Sequence, residues 1–100
     1  SAIQAEEYGS FQTHQLKIRG RKLLLNFETK RAGEIRIEVA RTPDGEAVPG
    51  LSFDDCDTLR GDSRSHVGTW RGQSDLGDSK ENIVFRFQLR LAKLYSFESS

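Results

Sequence analysis

A chain of 100 residues is long enough for one domain with one core, and 15 Lys plus Arg against 15 Asp plus Glu leave no net basic face of the kind that nucleic-acid phosphates require. The single cysteine, Cys56, excludes an intrachain disulfide, and Leu23 to Leu25 is as long as any apolar run, far short of a bilayer span. Neither nucleic acid nor a membrane is an expected partner. No signal-type segment opens the chain, and methionine is absent even at position 1, which points to a piece of a larger protein.

Residues 1–10, with Glu6, Glu7, Gly9 and Ser10, read as a linker or N-terminal extension, and residues 11–98 as a single domain. Leu16 and Ile18 alternate with Lys17 and Arg19. Gly20 and Arg21 then turn the chain into Leu23, Leu25 and Phe27, which alternate with Leu24, Asn26 and Glu28, so the spacing predicts a hairpin. Next, Ile35, Ile37 and Val39 face inward between Glu34, Arg36 and Glu38, and the strand stops at the turn chemistry of Pro43-Asp44-Gly45. The basic run Lys17, Arg19, Arg21, Lys22, Lys30 and Arg31 reads as a solvated strand face.

Residues 48–75, VPGLSFDDCDTLRGDSRSHVGTWRGQSD, interrupt this regularity and hold nearly all the unusual chemistry. After them Ile83, Phe85, Phe87, Leu89 and Leu91 line one face and Val84, Arg86, Gln88 and Arg90 the other. A strand makes that pattern and a helix does not. Lys93 to Phe97 continues as a last strand, with Leu94, Tyr95 and Phe97 split between the faces; Tyr95 and Phe97 suit the core or a contact with another domain. No helix of ten residues is expected, and the predicted class is all-β, an antiparallel two-sheet β-sandwich.

Several groups in the interruption carry alternative readings. Asp54, Asp55, Asp57 and Asp62 are oxygen donors of the type calcium takes, but their spacing matches no twelve-residue calcium loop, so no cofactor is expected and bonding to loop backbone is the simpler role. Asp62, after Gly61, is expected to hold its turn by backbone bonds. Cys56 and His66 suggest a nucleophile and base, without a third orienting group, and zinc has only Cys56, His14 and His66 in no familiar spacing. Trp70 has two readings. Exposed, it would stack on a sugar with His66, Arg71 and Asp75 bonding the hydroxyls; buried, it would anchor the core, the role large aromatics take in small sandwiches.

Taken in order, Gly33-Glu34-Ile35-Arg36-Ile37-Glu38-Val39, Asp44-Gly45, Val48-Pro49-Gly50-Leu51-Ser52, Asp55-Cys56, Gly61-Asp62, His66-Val67, Trp70-Arg71-Gly72, Ser74-Asp75-Leu76, Val84-Phe85-Arg86-Phe87 and Ala92-Lys93-Leu94-Tyr95-Ser96-Phe97 resemble a C-terminal module of bacterial proteins. Those proteins are similar to glycoside hydrolases of the five-bladed propeller type, akin to β-fructosidases and sialidase-like enzymes. The likeness spans residues 9–98 and implies a jelly-roll sandwich of the concanavalin A-like kind, behind a catalytic propeller domain outside this chain, in a secreted, extracellular bacterial protein. In such enzymes the catalytic carboxylates belong to the propeller, so none is carried over. The expected function is a non-catalytic accessory module that packs against and stabilises that domain, with glycans as possible further partners. The alternatives are a carbohydrate-binding module using an exposed Trp70 and, last, a hydrolase in its own right.

Overall fold

The computed structural model describes residues 3–5, 8–18, 20–77 and 82–100, the first three by their backbone alone; Arg19 of the basic run lies outside the described residues. Five strands are present, β1 (Ile3–Ala5), β2 (Gly9–Gln12), β3 (Leu23–Ala40), β4 (Asp62–Val67) and β5 (Val84–Ser99), and no helix occurs among the described residues. All pairings are antiparallel, in the order β1-β5-β3-β4, with β2 also on β5. The described residues are therefore all-β, built on one antiparallel sheet.

The centre of the sheet is the ribbon formed by β3 and β5, 18 and 16 residues long. Its alternating residues do what their spacing requires: Leu23, Leu25, Phe27, Ile35, Ile37 and Val39 of β3 are buried, as are Phe85, Phe87, Leu89, Ala92 and Leu94 of β5. Halfway along, the pairing jumps from Thr29↔Ala92 to Glu34↔Arg90, so residues 30–33 stand opposite Leu91 alone. Ala32 and Leu91 both take positive φ there, 64° and 47°. A bulge of this kind bends the strands that contain it.

The bend is sharp enough to fold the ribbon over. Phe97 lies ten positions after Phe87 in β5, a separation of roughly 33 Å along a straight strand, yet their ring centroids are 5.0 Å apart. Phe85 meets the same Phe97 ring edge-on at 6.0 Å. The core thus lies between the two halves of one ribbon. Gly33 sits at the crease, where a Cβ would come within 2.4 Å of the Leu91 carbonyl oxygen; only a residue without one lets the strands approach.

Four expectations change. Residues 16–27 do not form a hairpin: Leu16 bridges to Ile83, and Arg21 and Lys22 donate their N–H groups to the Ser100 carbonyl, both at 3.0 Å, because β3 finds its partners far along the chain. The separate strands expected around Phe27 and Val39 are one strand, as are those around Phe87 and Phe97. Leu91 is half-buried, since its positive φ resets the alternation and hands the core positions to Ala92 and Leu94. Within the segment read as a linker, residues 3–5 and 9–10 pair with β5.

The interruption is ordered and closes the free edge of β3. Beside the first half of β3 lies β4, and beside the second half Leu59 exchanges backbone bonds with Ile35 at 2.9 and 3.0 Å while Val39 donates to Leu51 at 3.0 Å. Leu51, Cys56, Leu59 and Trp70 enter the common core from this segment, followed by Leu76 just after it.

Candidate functional site

Several of the residues singled out in the interruption are bonded within it or to the strand residues behind it. Trp70 is 2 % exposed and its Nε1 donates to the Ile37 carbonyl at 3.0 Å. The chain turns just after it, with Arg71 and Gly72 at φ 51° and 79°, and Trp70 and Gln73 exchange backbone bonds of 2.8 and 3.0 Å. Two carboxylates hold that turn. Asp57 accepts from Thr69 Oγ1 at 2.6 Å and from the Gly72 N–H at 2.8 Å. Asp55 accepts from Ser52 Oγ and Arg71 Nε, both at 2.8 Å. Farther on, Asp75 takes both Arg21 Nε and an Arg21 terminal nitrogen at 2.8 Å and the Gly77 N–H at 2.8 Å.

These bonds favour the ionised carboxylate, so all three groups stay below the ordinary range: Asp55 chiefly through the Ser52 hydroxyl, Asp57 through the Thr69 hydroxyl and Asp75 through Arg21. Cys56 moves the other way. It is buried, with Sγ accepting from the Ile37 N–H at 3.3 Å and its thiol aimed at the Asp57 carbonyl at 3.4 Å, and burial pushes its pKa up. That environment holds the neutral thiol, the opposite of what a nucleophile needs.

The four residues grouped as a sugar surface are not one surface. Trp70 is in the core, Arg71 is tied to Asp55, Asp75 to Arg21, and the exposed His66 lies on β4 with its ring edge-on to Phe27 at 5.5 Å. His66 and Cys56 form no bonded pair, and His14 is exposed. Asp62 does not hold the turn after Gly61: it opens β4, and Thr29 instead receives the Gly61 N–H on its Oγ1 at 2.7 Å. Of the calcium candidates, Asp54 is exposed, Asp55 and Asp57 face their hydroxyl and N–H donors, and Asp62 is on β4; among the described residues no three His, Cys, Asp or Glu side chains are grouped to hold a metal ion.

A different place brings polar and aromatic side chains together at the surface. Asn26 of β3 is flanked by irregularities on both sides. On β4 the pairing passes from Leu25↔His66 to Phe27↔Ser63, leaving Arg64 and Ser65 opposite Asn26, with Ser65 at φ 51°. On β5 it passes from Asn26↔Ser96 to Phe27↔Leu94, leaving Tyr95 as the extra residue. The Asn26 amide serves both bulges, accepting the Ser65 N–H at 2.7 Å and donating to Ser96 Oγ at 2.6 Å. Each bulge re-aims a side chain that regular alternation would have placed elsewhere.

The result is a cleft of about 690 Å³ lined by Asn26, Phe27, Glu28, Asp62, Ser63, Arg64 and Tyr95. Tyr95 is 47 % exposed and donates its hydroxyl to Glu28 Oε2 at 2.6 Å; that bond, with the carboxylates beside it, raises the phenol above the ordinary tyrosine range. Glu28 and Asp62 stand directly opposite each other in the ladder, a like-charge pairing that sheets avoid. The sequence carried one trace of this site, the lost alternation at Leu94, Tyr95 and Phe97.

No family model, no curated protein and no solved structure matches this chain. Among the described residues no helix is long and apolar enough to cross a membrane.

Proposed function

We propose that this chain is a non-catalytic accessory module of a bacterial, secreted glycoside hydrolase-like protein, a rigid β unit that packs against and stabilises a catalytic propeller domain. The observation that carries the reading is the engagement of the signature residues. Trp70, Arg71, Gly72, Asp55 and Cys56, which belong to the resemblance, are bonded to one another, to the neighbouring Asp57 and to β3, where they build a scaffold. A motif that fixes a shape is what modules of one architecture share, whatever their ligands. The folded ribbon supports the finer reading of a two-layered, jelly-roll-like sandwich of the concanavalin A-like kind, since its halves face each other across one core.

Two measurements test it. The purified chain is expected to release no product from a panel of chromogenic and polymeric glycans, and turnover that disappears in Asp55→Asn or Asp62→Asn overturns the non-catalytic reading. In the parent protein, removal of residues 9–98 is expected to lower the thermal midpoint of the propeller, and an unchanged midpoint overturns the stabilising role.

A further inference from the structure

The cleft beside Asn26 has the size of a ligand site, within the range of roughly 300–1,000 Å³ that small-molecule clefts occupy, at about 690 Å³. Its lining is mixed. Glu28 and Asp62 offer acceptors, Arg64 offers donors with no hydrogen bond or ion pair to any described residue, and Ser63 lies between them. Tyr95, half exposed, lines the same space with an aromatic side chain. A polyanion placed there would meet the two carboxylates, and a compact cation would share them with the Arg64 guanidinium. A hydroxyl is both donor and acceptor, so adjacent hydroxyls on one ring satisfy Arg64 and the carboxylates together. The C–H face of the same ring is the surface that covers an aromatic side chain.

The geometry points to a saccharide-binding subsite in this cleft, for a neutral sugar ring stacked on Tyr95 and hydrogen-bonded by Glu28, Asp62 and Arg64. Local structure supports this reading. The two bulges around Asn26 interrupt the ladder on both sides and set an unfavourable Glu28↔Asp62 pairing at its wall, and violations of local rules concentrate where function requires them. The inference goes beyond the accessory-module reading: a module can dock without binding sugar or bind sugar without docking, and the measurement below reads only binding.

The test is titration of the isotope-labelled chain, followed by amide chemical shifts, with cellohexaose, maltohexaose, xylohexaose and an inulin-type fructo-oligosaccharide. An oligogalacturonate and a chitosan oligomer serve as the anionic and cationic comparisons. At least one neutral oligomer is expected to shift Asn26, Glu28, Ser63, Arg64 and Tyr95 while Trp70 stays in place, and to bind more tightly than either charged oligomer. Tyr95→Ala is expected to weaken binding roughly three- to tenfold, the worth of one aromatic contact, and Tyr95→Phe to retain most of it. Arg64→Ala, at an exposed position, provides a second variant should Tyr95→Ala not fold, with a severalfold loss expected. The proposal is overturned if no neutral oligomer shifts these amides, if the shifts persist unchanged in the variants, or if a charged oligomer binds more tightly.

Discussion

Ile37 and Trp70, 33 positions apart, are joined by a 3.0 Å hydrogen bond from the indole Nε1 to the Ile37 carbonyl, while the Ile37 N–H meets Cys56 Sγ at 3.3 Å. Between the points where Leu51 and Leu59 complete the ladder, side chains satisfy the backbone groups of β3 that no strand reaches. A buried carbonyl left without a donor costs free energy, so both the bulk and the polar tip of Trp70 matter. Trp70→Ala is expected to destabilise the domain by about 3–5 kcal/mol. Trp70→Phe, which keeps most of the volume and loses the donor, is expected to cost about 1–3 kcal/mol. Urea denaturation midpoints decide, and equal stability of Trp70→Phe and wild type would remove the bond from the account.

The crease of the ribbon gives two neighbouring substitutions of opposite sign. Gly33→Ala drives a methyl group against the Leu91 and Arg90 carbonyls at 2.4 and 2.9 Å and is expected to cost about 1–3 kcal/mol. Ala32→Gly, at φ 64°, relieves left-handed strain and is expected to be neutral or stabilising by up to about 1 kcal/mol. Thermal midpoints of the two variants measured side by side check the crease; a harmless Gly33→Ala would mean that the strands do not approach this closely.

Phe87 and Phe97 report on the folding-over itself. Phe87→Ala is expected to cost about 3–5 kcal/mol through lost burial and the cavity left behind. A double-mutant cycle with Phe97→Ala should return a coupling of about 0.5–1.5 kcal/mol for rings 5.0 Å apart. Additive effects would place the two rings out of contact, as in a straight strand.

The domain is expected to lose stability in acid through Asp55, Asp57 and Asp75. Each has a folded pKa below its unfolded one, so the unfolded chain binds protons first as the pH falls. Their contribution is complete above the unfolded carboxylate value, about pH 4, and disappears as the pH drops through the depressed folded values. Thermal midpoints measured from neutral pH downward should fall below about pH 4, and Asp57→Asn should flatten that fall while lowering the neutral midpoint. A Asp57→Asn profile that parallels wild type would show that Asp57 has no part in it.

Much of the framework was legible because burial and alternation coincide. Ile35, Ile37 and Val39, and Ile83, Phe85, Phe87 and Leu89, point inward as their spacing requires, and Trp70 took the core position its size favoured. What escaped was continuity. Phe27 and Val39 read as parts of separate strands, whereas the pairing steps from Thr29↔Ala92 to Glu34↔Arg90 and carries β3 through residues 30–33 as a bulge. A bulge is set by the partner strand, which for β3 is β5, and one sequence contains no direct record of that register. The cleft at Asn26 was hidden for the same reason. Tyr95 and Arg64 turn outward because of register steps, and only the broken alternation near Leu94 hinted at one of them. Asp62 was misassigned because Gly-Asp is turn chemistry, and at this site the turn is completed by Thr29 from another strand.

The irregular course of β4 also bears on what its outer edge can pair with. Among the described strands β4 ends the sheet order on its side, so its outer row of N–H and C=O groups is a template on which another chain could add a strand and begin a fibril. The kink at Arg64 and Ser65, with the charged Asp62 and Arg64 close by, prevents that row from running straight for more than a few residues. The distortion that opens a cleft on the face of the sheet also makes its rim a poorer template for strand addition, and a sequence altered to pair Asn26 one-to-one with β4 would give that rim a longer regular edge.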